Sequence, residues 1–297
     1  MLLLTSFLVD ILIPEEDENI SFYNNFLSQY TSITVTAIVS QLTFSHETYT
    51  DMTKEALDND INNMIESIPD AANQRRTAYP FYCRGAMIDP GSTIQEEENR
   101  SFISNLFIQD ATKYNLSNRE MVLKGLNTSA FLNYFFLFED NIKNIYIQEV
   151  SSSNTNSLGG SKVISTALKG IIENKEIKNE FFLELNRRSK FFINYQSLNR
   201  TWKFLNFIRN RLIHYNGFYD EKAKKLFKSY YEDILKTYKN NDSMLLSIVS
   251  FSDKIEKYQI QIDTNNYLIV DDVLENIIRN TSISIMESLF ICEKNKS

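Results

Sequence analysis

The scarcity of glycine and proline constrains this chain more than any other feature of its sequence. Only 7 glycines and 4 prolines occur among 297 residues. A sandwich or barrel of short strands needs many tight turns, which are built largely from these two residues. Because 43% of the residues are apolar, the chain can bury a sizeable core and is neither disordered nor fibrous. We therefore expect an all-α protein of long helices joined by few tight turns.

Charge and cysteine content narrow the possible compartments and partners. The chain carries 38 acidic and 31 basic residues, a net charge of −7, which argues against a general nucleic-acid coat. Its two cysteines, Cys83 and Cys292, cannot build a disulfide framework, and this favours the reducing cytoplasm. No stretch approaches the roughly 18 apolar residues that cross a bilayer, so we expect no membrane partner.

A stretch that contains proline and glycine, residues 79–92, marks the best candidate domain boundary. It predicts an N-terminal helical region of unknown role, residues 1–98, and a larger helical domain, residues 99–297. Helices are expected over residues 20–44 and 53–68. The apolar run Met1–Ile13 lacks the positive start of an export signal, and we interpret it as a buried first element.

The larger domain has a persistent helical pattern. Residues 130–138 are apolar on nearly every side before Glu139, which predicts a helix at the centre of the bundle. Further helices are expected over residues 162–173, 176–194, 198–216, 221–238 and 271–292. Alternating apolar residues at 258–262 and 267–270 flank the polar residues 263–266, and this pattern predicts one small β-hairpin near the C-terminus.

The last two turns of the predicted helix 198–216 carry the residues best suited to catalysis. Asn210 and His214 lie four residues apart and share its polar face, and Arg209 lies between that face and the core. Gly217 follows where a glycine can end the helix. The stripe that we expect to face the core consists of Leu205, Ile208, Leu212 and Tyr215.

Basic residues are concentrated around this helix. Residues 187–228 contain eleven basic and two acidic side chains, a net +9, which leaves −16 on the rest of the chain. Such a basic segment in an acidic protein is typical of a polyanion-binding surface. We expect its RNA-binding residues to be Arg200, Lys203, Arg211 and Tyr215. The alternative is a solvated helix face that pairs with the acidic remainder.

The segment Arg209-Asn210-x-x-x-His214 resembles the Arg-x4-His motif of the HEPN superfamily, in the form in which Asn follows Arg. An aromatic-rich helix ending in Glu139 is also similar to that family, and the resemblance covers about residues 99–293. It implies a HEPN-like up-and-down helical bundle and metal-independent cleavage of RNA by a homodimer without cofactors. Many such proteins are toxins or abortive-infection factors in anti-phage defence, so an antitoxin or another defence-system partner is implied as well.

The chemistry of such a site follows from the residue types. Histidine can take the proton of the RNA 2′-OH or protonate the 5′-oxygen that leaves, and arginine can stabilise the charge on the phosphorus centre. The products would be a 2′,3′-cyclic phosphate and a 5′-OH. Since one histidine does not comfortably serve both proton transfers, a two-fold dimer would supply a second His214 and Arg209. Asn210 would orient His214 or bind phosphate, and Glu139 would hold Arg209 or His214.

Other interpretations of the same residues stay open. A non-catalytic module could keep the fold and bind RNA, a nucleotide or a partner as a regulatory or scaffold subunit. His214 could be a histidine stabilised by the negative end of its helix. Glu139 could be a solvated residue at a helix end. Trp202, the only tryptophan, could stack on a base, although an anchor for its helix is the simpler explanation.

Overall fold

The helical class predicted from the sequence is confirmed. The structure, a computed structural model, describes residues 11–15, 20–44, 59, 62–63, 97–151, 158–189, 191–238 and 245–296. Within these residues the chain forms nine α-helices and no β-strand. In chain order they are α1 (Ser21–Phe44), α2 (Glu97–Lys113), α3 (Asn118–Glu149), α4 (Lys169–Asn174), α5 (Lys178–Arg188), α6 (Tyr195–Tyr215), α7 (Glu221–Lys236), α8 (Leu245–Asn265) and α9 (Asp272–Lys294). A π-helical segment, Val163–Leu168, precedes α4.

The chain divides into two compact units. One consists of Leu3–Val39 together with Asn127–Ser297, and the other of Ser40–Leu126. The boundary expected between residues 98 and 99 stays a prediction, because most of residues 45–96 lie outside the described part of the chain. The expected helix 53–68 and most of the expected first element also lie outside it.

The second unit contains α2 and the first turns of α3. Asn115, in a left-handed conformation with φ of 53°, lies between these helices. Ala111 and Tyr114 are buried there. The ammonium group of Lys124 lies 3.7 Å from the centre of the Tyr114 ring, and burial lowers the pKa of this lysine.

Aromatic side chains of α3 and α6 pack together in the core of the first unit. As the all-round apolar pattern predicts, Phe135 and Phe138 of α3 are fully buried. The indole of Trp202 on α6 stacks on Phe135 at 4.6 Å between ring centres and contacts Phe138 at 4.8 Å. Its Nε1–H donates a hydrogen bond of 2.8 Å to the carbonyl oxygen of Gly160. Trp202 therefore anchors α6 in the core.

Helix α9 is buried along most of its length, although it carries charged residues. Glu275 and Arg279 are fully buried and approach to 3.1 Å. The carboxylate of Glu287 lies 3.0 Å from Nε of Arg188 and accepts a 2.8 Å hydrogen bond from the peptide N–H of Leu12. Each of these two carboxyl groups lies beside an arginine, but burial still raises the pKa of both. None of the described helices is both long enough and apolar enough to cross a membrane.

The hairpin predicted near the C-terminus is not found, because residues 258–262 belong to α8. Ile255, Tyr258 and Ile262 are buried at helical spacing, whereas Ile260 is 65% exposed. Five alternating residues fit either period, and the longer helical stripe decides the structure. Tyr267 and Phe218 form an isolated β-bridge outside any strand.

The predicted helix 176–194 is also too long. Helix α5 ends at Arg188, and Ser189 adopts an extended conformation. Asn194 and Ser197 then form a reciprocal capping box that starts α6 at Tyr195, three residues before the predicted start at 198. A side-chain cap therefore sets this boundary, which hydrophobic periodicity alone could not place.

Candidate functional site

Local sequence fixes the position of Arg209, Asn210 and His214 in the last two turns of α6. Asn216 adopts the left-handed conformation with φ of 49° directly after the helix. The peptide N–H groups of Asn216 and Gly217 both donate to the carbonyl oxygen of Arg211, the Gly217 bond over 2.9 Å, and the Asn216 bond is the six-residue closure of a Schellman motif. The helix therefore ends at Tyr215, one residue before the predicted end, and Gly217 follows in the left-handed conformation with φ of 77°.

The predicted core stripe of α6 holds only in part. Leu205 and Ile208 are fully buried and Leu212 is half-buried, but Tyr215 is 54% exposed. The expectation that Tyr215 faces the core is therefore wrong. Arg211, expected at the RNA-binding surface, is instead only 8% exposed.

Arg211 stabilises the end of the helix. Its Nε–H donates a 2.8 Å hydrogen bond to the carbonyl oxygen of Phe218, and an Nη2–H donates to the same oxygen. Its guanidinium carbon lies 3.9 Å from the centre of the Tyr215 ring. Through these contacts Arg211 holds the turn that follows α6. Its side chain therefore does not lie at the surface where the RNA-binding role was predicted.

Arg209 is held against aromatic rings. Its Nη1–H donates a 2.8 Å hydrogen bond to Oδ1 of Asn210. Its guanidinium carbon lies 5.1 Å from the centres of both the Phe135 and the Phe136 rings, within the range of cation–π attraction. The buried Nε has no hydrogen-bond partner in the part of the chain that is described. The side chain is therefore oriented, and among the described residues only its Nη1 donates a hydrogen bond.

Sequence analysis did not identify Phe136 as part of this site. We assigned the aromatic residues of the helix to the core, yet the Phe136 side chain is 38% exposed. The signal was present in the helical period, since Phe131, Phe135 and Phe138 already fill the core-facing positions and leave Phe136 on another side. Nothing in the pattern indicated that Arg209 would lie against it.

His214 lies on the exposed side of the last turn of α6. Its imidazole makes no hydrogen bond or ion pair with any described residue. Three apolar side chains near it in the sequence are also exposed, namely Ile213 at 41%, Tyr215 at 54% and Phe218 at 39%. We call these three residues the α6 rim. An exposed imidazole beside apolar side chains is suited to a surface that another molecule covers.

Glu139 makes no hydrogen bond to Arg209 or His214 among the described residues, contrary to its predicted role, and is bonded to other groups instead. It is only 5% exposed, with Oε1 at 2.5 Å from Nζ of Lys143, and Oε2 accepts a 3.0 Å hydrogen bond from the peptide N–H of Gly160. Gly160 in turn accepts the Trp202 indole hydrogen bond. Glu139 thus connects to α6 through this loop.

The loop leaves no space for a larger residue beside Glu139. A Cβ atom added to Gly159 would lie 2.9 Å from Oε1 of Glu139. Gly160, with φ of 61°, has the left-handed conformation that glycine adopts without strain. The two glycines therefore allow the loop backbone to approach the carboxylate and donate a hydrogen bond to it.

Several described residues of the basic segment are engaged in contacts within the protein. Arg187 pairs with Glu184, Arg188 with Glu287 and Lys224 with Glu221. Arg200 joins α6 to α7 through hydrogen bonds from Nη1 of 2.8 Å to the Asp233 carbonyl oxygen and 2.7 Å to Oγ1 of Thr237. Lys203 is exposed near Arg200, beside a cavity of about 270 Å³. Of the four predicted RNA-binding residues, Lys203 and Tyr215 are exposed, whereas Arg200 and Arg211 make structural contacts.

No group of three or more His, Cys, Asp or Glu residues that could hold a metal ion occurs among the described residues. Comparisons of the chain with protein-family models, with curated proteins and with solved structures find no match. An assignment of function must therefore start from the residues of α6 and their neighbours.

Proposed function

We propose that this protein is a metal-independent endoribonuclease with a HEPN-like bundle, which acts as a cytoplasmic homodimer in toxin or abortive-infection defence against phage. The observation that carries the proposal is the arrangement at the end of α6. There the guanidinium of Arg209 is oriented by Asn210 and Phe136. Four residues after Asn210, the exposed imidazole of His214 is available for proton transfer.

These groups suffice for cleavage through the RNA's own nucleophile. A neutral His214 takes the proton from the 2′-OH as the 2′-oxygen forms a bond to phosphorus. The bond from phosphorus to the 5′-oxygen breaks, and a protonated histidine gives its proton to that oxygen. Arg209 stabilises the charge that accumulates on the phosphoryl oxygens. The products are a 2′,3′-cyclic phosphate and a 5′-OH end.

A dimer would provide two histidines, one neutral and one protonated. The exposed α6 rim lies beside His214 in the sequence and offers apolar surface for a two-fold contact. In such a dimer, His214 of the partner subunit would act on the opposite side of the scissile phosphate. The antitoxin or defence-system partner that the resemblance implies would then restrain this activity.

An RNA-cleavage assay tests the proposal directly. The purified protein, His214→Ala and Arg209→Ala are incubated with RNA in EDTA, and the ends of the products are analysed. Arg187→Ala is a matched control, because the Arg187 side chain is 63% exposed and pairs with Glu184 away from the motif. We expect 2′,3′-cyclic ends from the wild type and the control, and their loss in both motif variants.

Light scattering tests the composite site. The chain has a mass of 34.7 kDa, so a dimer is readily distinguished from a monomer. A strictly monomeric protein that still cleaves RNA would contradict the two-chain mechanism. Absence of cleavage by wild type and His214→Ala alike would contradict the enzyme itself.

The second candidate is a non-catalytic module that binds RNA, a nucleotide or a partner protein. The exposed apolar residues of the α6 rim favour it, since they fit a protein partner as well as a second copy. Equal RNA binding by wild type and His214→Ala, with no cleavage by either, would support this function as a regulatory or scaffold subunit.

A further inference from the structure

A polar groove of about 700 Å³ runs between α1 and α3. Most of its polar lining consists of neutral side-chain amides, those of Asn25, Gln29, Asn133, Asn141, Asn144 and Gln148. Asp140 is the one acidic residue among the described lining residues, and none of those residues is basic. A groove with this composition provides many hydrogen-bond donors and acceptors and little charge.

Helical periodicity produces this concentration of amides. On α1, Phe22, Asn25 and Gln29 follow at spacings of three and four residues and therefore share one side of the helix. On α3, Asn133 and Asn144 lie three turns apart on the side that carries the groove. Asn25, Gln29, Asn133 and Asn144 are all exposed, so their amides are accessible to a ligand.

The groove adjoins the proposed catalytic site through one aromatic ring. Phe136 belongs to the groove lining, and its ring centre lies 5.1 Å from the guanidinium carbon of Arg209. Asn133 and Asp140 lie one turn before and one turn after Phe136 on the same helix, so both flank the ring. A nucleotide whose phosphate contacts Arg209 would therefore have its base within reach of Phe136 and Asn133.

The chemistry of the lining selects the kind of group that fits. Side-chain amides both donate and accept hydrogen bonds, which matches the edges of nucleobases. A phosphate would need cations that this lining does not provide, and Asp140 would repel it. Phe22 and Phe136 offer aromatic rings on which an unpaired base can stack. A neutral planar group with mixed donors and acceptors therefore suits the groove best.

We propose that this amide groove binds unpaired bases of single-stranded RNA next to the phosphate held by Arg209, and that it gives the enzyme a base preference. This inference rests on the proposed function and adds its substrate class. Recognition in such a groove requires bases that are free of a complementary strand, because their hydrogen-bonding edges must be accessible.

The first test measures where a single-stranded RNA of mixed sequence is cut. The double variant Asn25→Ala/Asn133→Ala removes one amide from each wall, and Asn24→Ala removes an exposed neighbouring amide that does not line the groove. We expect the wild type and Asn24→Ala to prefer one base near the cut by about tenfold or more. The double variant should lose most of that preference and still cleave. Equal cutting at all bases by the wild type, or an unchanged preference in the double variant, would overturn the proposal.

A second test separates failure of the groove from failure of catalysis. Short 2′-fluoro RNA homopolymers lack the nucleophilic 2′-OH, and their affinities are measured by fluorescence anisotropy. If the wild type discriminates among them and the double variant does not, the groove proposal holds even when no RNA is cleaved. If all homopolymers bind alike, or none binds, the groove proposal fails whatever the cleavage assay shows. The substituted residues are exposed, so circular dichroism should show that all variants fold.

Discussion

The guanidinium of Arg209 donates a 2.8 Å hydrogen bond to Oδ1 of Asn210, the residue that follows it in the sequence. Because consecutive residues of a helix point about 100° apart, this bond draws the Arg209 side chain towards the polar face on which His214 also lies. Phe136 supports the guanidinium by lying 5.1 Å from it. Asn210 is therefore a positioning residue for Arg209, a role more specific than orientation of His214.

This relationship predicts graded effects of substitution on RNA cleavage. Arg209→Lys should lower turnover by about a hundredfold, because a lysine lacks the planar fork that binds phosphoryl oxygens. Asn210→Ala should lower it by about tenfold, since the guanidinium remains but is held less firmly. Both side chains are half-buried and not in the core, so thermal melting temperatures should change little. Full activity of Arg209→Lys would contradict the phosphate-binding role.

Glu139 should contribute to the stability of the protein through its contacts with Lys143 and Gly160. Glu139→Ala removes the acceptor of the Gly160 peptide N–H and should lower the free energy of unfolding by about 1–3 kcal/mol. The neighbouring change Asp140→Asn is the control, because the Asp140 side chain is 71% exposed and lies 3.9 Å from Lys143. It should alter stability by less than about 0.5 kcal/mol. Urea denaturation measures the stability of both variants. Equal stabilities would contradict a structural role of the Glu139–Gly160 hydrogen bond.

Substitution of Arg211 should lower stability, whereas substitution of Lys203 should weaken RNA binding. Arg211→Ala leaves the carbonyl oxygen of Phe218 without its donor and should destabilise the protein by about 2 kcal/mol. Lys203→Ala removes an exposed cation and should weaken RNA binding, more so at low salt, with unchanged unfolding. Chemical denaturation and anisotropy with labelled RNA measure the two effects. A loss of RNA affinity without destabilisation in Arg211→Ala would restore the predicted binding role.

Two acids of α9, the buried Glu275 and the half-buried Asp272, predict that stability falls as the pH rises above about 4. Burial raises the pKa of Glu275 to about 7 although Arg279 lies close, and burial raises the pKa of Asp272 to about 6. The folded state therefore holds protons that the unfolded state releases near pH 4 to 5. The stability that these protons provide is present below that range and is lost as the pH rises through about 7.

Urea denaturation at several pH values measures this loss. Each group contributes a slope of at most about 1.4 kcal/mol per pH unit. Asp272→Asn should reduce the slope between about pH 4 and 6, because its side chain no longer titrates. The exposed Thr264, in α8, provides the control change Thr264→Ala, which removes no titrating group and should leave the slope unaltered. Constant stability from pH 5 to 7.5 in the wild type would contradict the prediction.

Several features of the fold and site were predictable from sequence because they depend on neighbours along the chain. Few turns and helical spacing of apolar residues predict the all-α class and helices α1, α7 and α9 closely. The same spacing places Arg209, Asn210 and His214 in the final turns of one helix. The hairpin was predicted wrongly because five alternating residues do not distinguish a strand from a helix that continues beyond them.

The sequence by itself thus determined the helical class and the grouping of an arginine, an asparagine and a histidine at one helix end, because helical geometry relates residues a few positions apart. Only the tertiary structure decided that Arg211 is buried against Phe218, that Glu139 bonds to Gly160, and that Arg209 lies against Phe136. It also brought the amides of α1 and α3 together across a groove. These contacts join residues from different elements, and they depend on how the helices pack, which local periodicity does not specify.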